Sequence, residues 1–279
     1  MTSTSNNIDR TEPLNVGIAG LGTIGRKVAD ALDGGIDGLV LVGVCGRDTA
    51  KTEASVKMLT NSVPVLAATE LAKVADIVVE CVPKAAFLDI VKPALEEGCK
   101  VITVSGAGLL EHPEIVHLAA RKGTQIILAT GALLGLDAVR AAAEGKIQEI
   151  TMITRKPPGS LLGAPHLEAN NIDVSALEGP LKVFSGSARE GAAGFPANVN
   201  VAAALGLAGI GADQTKLEIW ADPSVTRNTH SIRVESAEAR FEMKIENVPT
   251  EENPATGKLT ALSVIACLRG LVAPLKVGS

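Results

Sequence analysis

The run Val16-Gly17-Ile18-Ala19-Gly20-Leu21-Gly22-Thr23-Ile24-Gly25-Arg26-Lys27-Val28 constrains this chain more than any other stretch. It begins as an apolar run, the pattern of a strand buried on both faces. It passes through Gly20-x-Gly22-x-x-Gly25 and continues into Lys27-Val28-Ala29-Asp30-Ala31-Leu32, which reads as a helix. Strand, glycine turn and helix in that order predict a dinucleotide-binding unit. Gly20 permits the tight turn, Gly22 lets the backbone reach a pyrophosphate, and Gly25 lets the helix lie close on the strand. Thr23 and Ile24 then present free N–H groups, and the positive end of the helix dipole, to the phosphates.

The rest of the first half repeats the alternation. Leu39 to Cys45, Ala75 to Val82, Lys100 to Val104 and Gln125 to Ala129 read as buried strands. Helical signals run from Ala85 to Glu97 and from Glu111 to Arg121. Strand alternating with helix predicts a doubly wound parallel sheet of the Rossmann type, an α/β fold. Ligands of such a sheet bind beyond the carboxyl ends of the strands. Those ends carry Gly20, Gly46, Pro83, Ser105 and Gly131, so small-residue turns converge on one edge.

The end of the second strand bears on the choice of dinucleotide. An acidic residue there holds the ribose hydroxyls of NAD and repels the 2′-phosphate of NADP. This chain has Gly46 at that point, Arg47 beside it, and Asp48 two residues late. Arg47 is therefore a candidate partner for a 2′-phosphate, and NADP is expected alone or alongside NAD. The competing expectation is a solvated Arg47 with Asp48 serving the ribose.

The pattern changes after a helix beginning near Leu136. Lys146 to Thr154 and Leu181 to Gly186 have strand character, Ser160 to Pro180 is irregular, and Val199 to Ala208 is helical. Lys216 to Asp222, Thr229 to Glu235 and Ala239 to Glu246 alternate polar with apolar, as in an antiparallel sheet with one wet side. The expected organisation is a dinucleotide-binding domain over 14–135, completed by a C-terminal helical segment over 254–279. An α+β domain for substrate and catalysis, containing a mainly antiparallel sheet, spans 136–253. Residues 1–13 form a polar, disordered tail.

Composition removes several function classes. Among 279 residues, aromatics make up 2% and Tyr is absent, which argues against base stacking and aromatic cages. The net charge is −5 with no dense basic stripe, so nucleic acid is not an expected partner. Cys45, Cys81, Cys99 and Cys267 show no CxxC spacing and no paired His cluster accompanies them, so no metal site is expected. The N-terminus lacks the apolar core of a signal peptide and no stretch reads as a membrane span, which predicts a cytoplasmic protein.

One histidine stands apart. In Asn228-Thr229-His230-Ser231-Ile232-Arg233-Val234, alternation puts His230 on the apolar face with Ile232 and Val234. His112 precedes Pro113, His117 lies on a helix and His166 lies in a polar loop, so these three read as structural or solvated. An imidazole on the apolar face of a strand either hydrogen-bonds within the core or looks into a cleft.

Five segments now occur in order: Gly20-x-Gly22-x-x-Gly25, Gly131-Ala132-Leu133-Leu134-Gly135-Leu136-Asp137, Thr154-Arg155-Lys156-Pro157-Pro158, Phe195-Pro196-Ala197-Asn198-Val199-Asn200-Val201-Ala202-Ala203 and Asn228-Thr229-His230. Together they resemble the L-aspartate dehydrogenase family, over nearly the whole chain from about Leu14. The resemblance implies oxidation of L-aspartate to iminosuccinate with NAD or NADP, or reductive amination of oxaloacetate with ammonia, feeding nicotinamide cofactor synthesis. It puts the active-site histidine on His230. It puts cofactor contacts near the nicotinamide on Ala132 and on Asn200, the asparagine directly before Val-Ala-Ala, in preference to Asn198. It also implies a homodimer. Ser105-Gly106-Ala107-Gly108 departs from the Ser-Val-Gly-Ala-like turn of the family.

The chemistry agrees with the resemblance. Aspartate's ammonium must lose a proton before hydride leaves Cα, and a histidine with a pKa near neutrality suits that transfer. Two carboxylates need cationic or N–H partners. Arg155, Lys156 and Arg233 are candidates by charge, and Asn200 and Thr229 are candidate hydrogen-bond donors. Two other functions share the fold. A dihydrodipicolinate-reductase-like enzyme would carry a His-His pair followed by Lys in its second domain, and no such pair exists here. A non-catalytic NAD(P)-binding regulator would have no need of His230.

Overall fold

A computed structural model describes residues 12–195, 199–253 and 256–278. Residues 1–11 of the expected tail, and 196–198 including the alternative Asn198, lie outside the described residues. The first unit opens with β1 (Leu14–Ala19) and turns through the glycine loop into α1 (Thr23–Asp33). β2 (Leu39–Cys45), α2 (Thr49–Val56), α3 (Ala68–Val74), β3 (Ile77–Glu80), α4 (Phe87–Glu96), β4 (Lys100–Thr103), α5 (Gly106–Glu111), α6 (Glu114–Lys122) and β5 (Ile126–Leu128) follow. The strands form one parallel sheet in the order β2-β1-β3-β4-β5.

This is the doubly wound sheet read from the sequence. Its strands bury both faces, so each residue's side decides its layer. Val16, Ile18, Ile77, Val79 and Ile102 pack with Val28 and Leu32 of α1. Val78 and Val101 pack with Phe87, Val91 and Leu95 of α4 and Ile115 of α6. Full burial of each such side chain contributes about 1.5–3 kcal/mol. The strand order reverses at β1, which opens a crevice between the carboxyl ends of β1 and β3. Cys45, Ala19, Glu80, Thr103 and Leu128 stand in one row across the sheet. The turns that follow them therefore open on a common edge.

The helix expected over Glu111 to Arg121 is divided. α5 ends at Glu111 and α6 begins at Glu114, because Pro113 forces His112 out of the helical region, to φ −124° and ψ 62°.

The second unit contains α7 (Leu136–Ala143), β6 (Ile147–Lys156), α8 (Pro165–Ala169), β7 (Leu181–Ser187), α9 (Ala188–Gly194), α10 (Val199–Ala208), β8 (Lys216–Ala221), β9 (Thr229–Ser236) and β10 (Arg240–Glu246). Its sheet runs β10-β9-β6-β8-β7, with β6 and β8 parallel and the other pairs antiparallel. It is mainly antiparallel, as expected, but the three alternating runs are not consecutive neighbours. β6 inserts between β8 and β9, pairing with β8 over Thr151–Lys156 and with β9 from Ile147 to Arg155. Periodicity reveals which way a strand's side chains point, not which strands lie beside it.

α9 was not anticipated, although its signal is present. Ser187 and Glu190 form a capping box, with Glu190 Oε2 accepting from Ser187 N–H at 2.8 Å and Ser187 Oγ accepting from Glu190 N–H at 3.2 Å. The final helix, α11 (Lys258–Val272), returns to the first unit, where Val264 and Leu268 are fully buried in the layer formed with α1. Among the described residues, no helix is long and apolar enough to cross a membrane.

Candidate active site

The three glycines of the loop answer to different demands. Gly20 has φ +91°, and a Cβ there would stand 2.6 Å from the Cys81 carbonyl oxygen. A Cβ on Gly25 would lie 1.8 Å from the Gly20 oxygen. The chain itself requires both glycines. Gly22 is different. Its backbone is extended, with φ −75° and ψ −166°, a conformation open to any residue. A Cβ built on it meets nothing within 4 Å. Gly22 caps α1 without any side-chain hydrogen bond, so the first turn keeps its N–H groups available. An open cradle at an uncapped helix start fits a dinucleotide pyrophosphate. Thr23 and Ile24 line the adjoining groove of about 570 Å³, together with Lys27, Thr256 and Gly257.

The groove shares Ile24, Thr256 and Gly257 with a smaller cavity of about 140 Å³. Ala132 and Asn200 line that cavity, so the structure brings three of the candidate cofactor residues together. Their supports come from distant parts of the chain. Asn247 Nδ2 donates to the Ala132 carbonyl at 3.1 Å, and Gly131 N–H donates to Ser263 Oγ of α11 at 3.0 Å. Asn200 Oδ1 accepts from Ala107 N–H at 3.1 Å, and its amide nitrogen has no hydrogen-bond partner among the described residues. The unusual Ser105-Gly106-Ala107-Gly108 turn opens α5 and lets α10 approach. A Cβ on Gly106 would lie 2.9 Å from the Asn200 carbonyl oxygen.

Gly20 N–H donates to the Cys45 carbonyl at 2.7 Å, tying the glycine turn to the end of β2. A Cβ on Gly46 would meet Thr52 Oγ1 at 2.1 Å, so Thr52 leaves no room for a side chain at this position. Asp48 is committed elsewhere: it caps α2, its carboxylate accepting from Lys51 N–H at 3.0 Å. Arg47 is exposed and has no ion-pair partner among the described residues.

His230 lies on the inward face of β9, 5% exposed. Thr154 of β6 stands directly opposite, and Thr154 Oγ1 shares a 3.0 Å hydrogen bond with His230 Nδ1. Nε2 is left as the ring nitrogen for a ligand. Lys156 lies two residues along the same face of β6 and is 4% exposed. Burial, and then the Lys156 charge, hold the His230 pKa down to about 4. The near-neutral value expected from the sequence is thus corrected: the imidazole is uncharged in the ligand-free protein above that pH. The cause is tertiary, since neither the depth of the site nor the neighbouring cation belongs to β9.

Two substrate candidates lie on the opposite face of the sheet from His230. Arg155 points to the outer face of β6, where it pairs with Asp222 at 2.9 Å and lies 4.7 Å over the Trp220 ring. Thr229 lines the same outer pocket as Arg155, because odd-numbered residues of β9 face away from His230. Arg233 is exposed on that face too, paired with Glu242. Of the three cations named by charge, Lys156 alone shares the face of His230.

Sequence reasoning missed three supporting residues. Thr154 becomes visible only through the β6–β9 register. Asn247 is buried beside β9, its N–H donating to the Asn228 carbonyl at 2.9 Å while its side chain holds Ala132. It therefore joins the His230 end of the second sheet to the turn that follows β5. Glu80 is fully buried, and its carboxylate accepts from Val82 N–H at 2.8 Å and from Thr103 Oγ1 at 2.5 Å. Thr103 Oγ1 in turn accepts from Ser105 N–H at 2.8 Å. Burial pushes the Glu80 carboxyl pKa up. This network ties together the turns after β3 and β4.

Comparison with known proteins extends over both units. Residues 137–271 match the family model "Aspartate dehydrogenase, C-terminal", and residues 20–129 match "Homoserine dehydrogenase, NAD binding domain". The L-aspartate dehydrogenase of Bradyrhizobium diazoefficiens is 54% identical, covering 95% of this chain and 94% of the relative. L-aspartate dehydrogenase 3 of Bordetella bronchiseptica is 51% identical, covering 96% and 98%. Among solved structures, aspartate dehydrogenase from Thermotoga maritima superposes with a TM-score of 0.76 at 25% identity, over 95% of this chain and 99% of that one. Identity of this extent runs through the second unit as well as the widespread dinucleotide-binding one, and the chain belongs to the L-aspartate dehydrogenase family.

Proposed function

We propose that this protein oxidises L-aspartate to iminosuccinate with NAD or NADP and, in reverse, aminates oxaloacetate with ammonia, in support of nicotinamide cofactor synthesis. The observation that carries the reading is a buried histidine at the end of the second sheet that Asn247 links to Ala132. Residues 14–135 with 254–279 hold the dinucleotide in this reading, and 136–253 supply the substrate side. Four cysteines without a disulfide among the described residues suit a reducing, cytoplasmic setting.

A bound nicotinamide dinucleotide supplies the hydride acceptor. The chain's own residues bind, orient and move a proton. This role requires the tautomer in which His230 Nδ1–H donates to Thr154 Oγ1 and the lone pair stands on Nε2. Nε2 takes one proton from the substrate ammonium. The amine lone pair then forms the C=N bond as hydride leaves Cα, and loss of a second nitrogen proton gives the imine. The low pKa of His230 belongs to the ligand-free site. Two entering carboxylates raise it by Coulomb attraction, toward the range where proton transfer is efficient. Asn200 holds the cofactor edge through its free amide nitrogen.

The direct test follows reduced nicotinamide absorbance with L-aspartate in one direction, and oxaloacetate plus ammonia in the other. Turnover in both is expected. Tight dinucleotide binding with no turnover would leave a regulator, and turnover of a cyclic imine alone would leave a reductase of another substrate.

The pH profile adds a second check. In the ligand-free site His230 is neutral above about pH 4 while Lys156 has a pKa of about 8, so the profile is read on kcat at saturating L-aspartate and not on kcat/KM. The substrate amine has an unperturbed pKa above neutrality and must lose a proton. Oxidation should therefore accelerate from pH 7 toward 9. A flat profile over that interval would remove amine deprotonation from the kinetically visible steps.

Cofactor choice rests on Arg47, since Thr52 leaves no room for a side chain at Gly46 and Asp48 caps a helix. Arg47→Ala should raise KM for NADP by roughly tenfold, the lower end for losing a charge-assisted hydrogen bond of about 1.5–3 kcal/mol. KM for NAD should stay nearly constant. Equal weakening of both cofactors, or no wild-type turnover with NADP, would refute the assignment.

A further inference from the structure

Lys156 is a lysine in an expensive position. It is 4% exposed, and among the described residues no carboxylate or hydrogen-bond acceptor partners its ammonium. Asp222, the nearby carboxylate on the outer side, is taken by Arg155 and Ser224. A buried cation without a counter-charge is destabilising and usually marks a functional site. Burial accordingly holds its pKa down to about 8. Among the described residues every fully buried side-chain nitrogen or oxygen has a partner, so Nζ, having none, must reach solvent-accessible space. The lysine thus presents a charged tip from an otherwise buried stem.

Its neighbours say what space that is. The inward face of the sheet carries Ile150, Met152 and Thr154 on β6, Leu217, Ile219 and Ala221 on β8, and His230, Ile232 and Val234 on β9. Lys156 is the one cation on that face, two residues beyond the threonine that holds His230. At a strand rise of about 3.3 Å per residue, its Cα lies about 6–7 Å along β6 from that of Thr154. A four-carbon dicarboxylate whose amine meets His230 Nε2 can extend a carboxylate across such an interval.

We infer that the Lys156 ammonium receives one carboxylate of the dicarboxylate substrate and holds the substrate's Cα in register with His230. The assignment replaces Arg155 as the substrate cation. Pairing also neutralises the charge that helps to hold down the His230 pKa, so substrate binding makes the imidazole a better base. The inference rests on the aspartate reading, and the two fail separately. Wild-type protein that turns over no L-aspartate overturns that reading, whereas the lysine is tested by Lys156→Met, an apolar side chain of similar length.

The probes are L-aspartate turnover and succinate, a dicarboxylate with no amine to oxidise, titrated against the NADH complex by fluorescence. Loss of a charge-assisted pair should raise KM for L-aspartate and Kd for succinate by about 10–100-fold. NADH affinity should be unchanged, and kcat should fall less than KM rises. The melting temperature should hold or rise, because a desolvated charge has gone; if Lys156→Met does not fold, Lys156→Gln is read by the same measurements. Succinate and aspartate affinities unchanged in a folded, NADH-binding variant would overturn the inference. So would a collapse of kcat at unchanged KM, which would make Lys156 a proton acceptor.

Discussion

Replacing His230 with alanine should lower kcat for L-aspartate oxidation by about 10²–10⁴-fold, the usual contribution of a positioned acid–base group. Dinucleotide affinity should remain nearly constant, because the open loop at Gly22, the proposed phosphate site, lies on a different unit and shares no partner with the imidazole. Stability should fall as well. The substitution leaves the buried Thr154 hydroxyl without its partner, at a cost of about 1–3 kcal/mol. His230→Asn separates the two effects, since an amide can bond Thr154 yet cannot accept a proton from the substrate. Equal loss of turnover in both variants, with the melting temperature largely restored in the asparagine variant, is the expected result. Near-wild-type turnover in a folded His230→Ala protein would refute the role. The contrast with Lys156→Met is diagnostic: the histidine variant should lose kcat at little change in KM, the lysine variant the reverse.

Gly22→Val should abolish useful dinucleotide binding while barely touching the fold. Nothing in the protein lies within 4 Å of a Cβ there, and the backbone conformation suits any residue. The valine side chain instead occupies the space in front of the first turn of α1. Losing two charge-assisted hydrogen bonds to phosphate, at about 1.5–3 kcal/mol each, weakens binding by roughly 10²–10⁴-fold. The folded protein loses only a favourable helix cap, a change of up to about 1 kcal/mol or ~2–4 °C in melting temperature. Calorimetric titration with NADH and a thermal melt of the same sample measure both. Unchanged affinity would remove the phosphate from this loop. Gly25→Ala makes the opposite control, because its Cβ would sit 1.8 Å from the Gly20 oxygen and the fold itself must move.

Local order in the chain made the first unit legible. A buried parallel strand is a short apolar run, a glycine turn has a fixed spacing, and both signals lie within a dozen residues. The same holds for His230, whose alternation with Ile232 and Val234 declares its face. Arg155 and Lys156 show the limit. They are adjacent, both cationic and both plausible for a carboxylate, and only one faces the histidine. Strand alternation states that they point opposite ways, but not which way the site lies.

That decision came from pairing. β6 enters between β8 and β9, so Thr154 meets His230 and Lys156 falls on the buried side, while Arg155 finds Asp222 and Trp220 outside. The depressed pKa of His230 has the same origin, since desolvation and a cation 74 residues away in sequence are properties of the assembled sheet. The sequence by itself determined the strands, the glycine turn and the inward face of β9, because each is set by steric and hydrophobic preferences within a few residues. Only the tertiary structure decided which cation and which threonine stand beside the histidine, and which asparagine ties its strand to Ala132, because those contacts join segments whose separation along the chain carries no periodic signal.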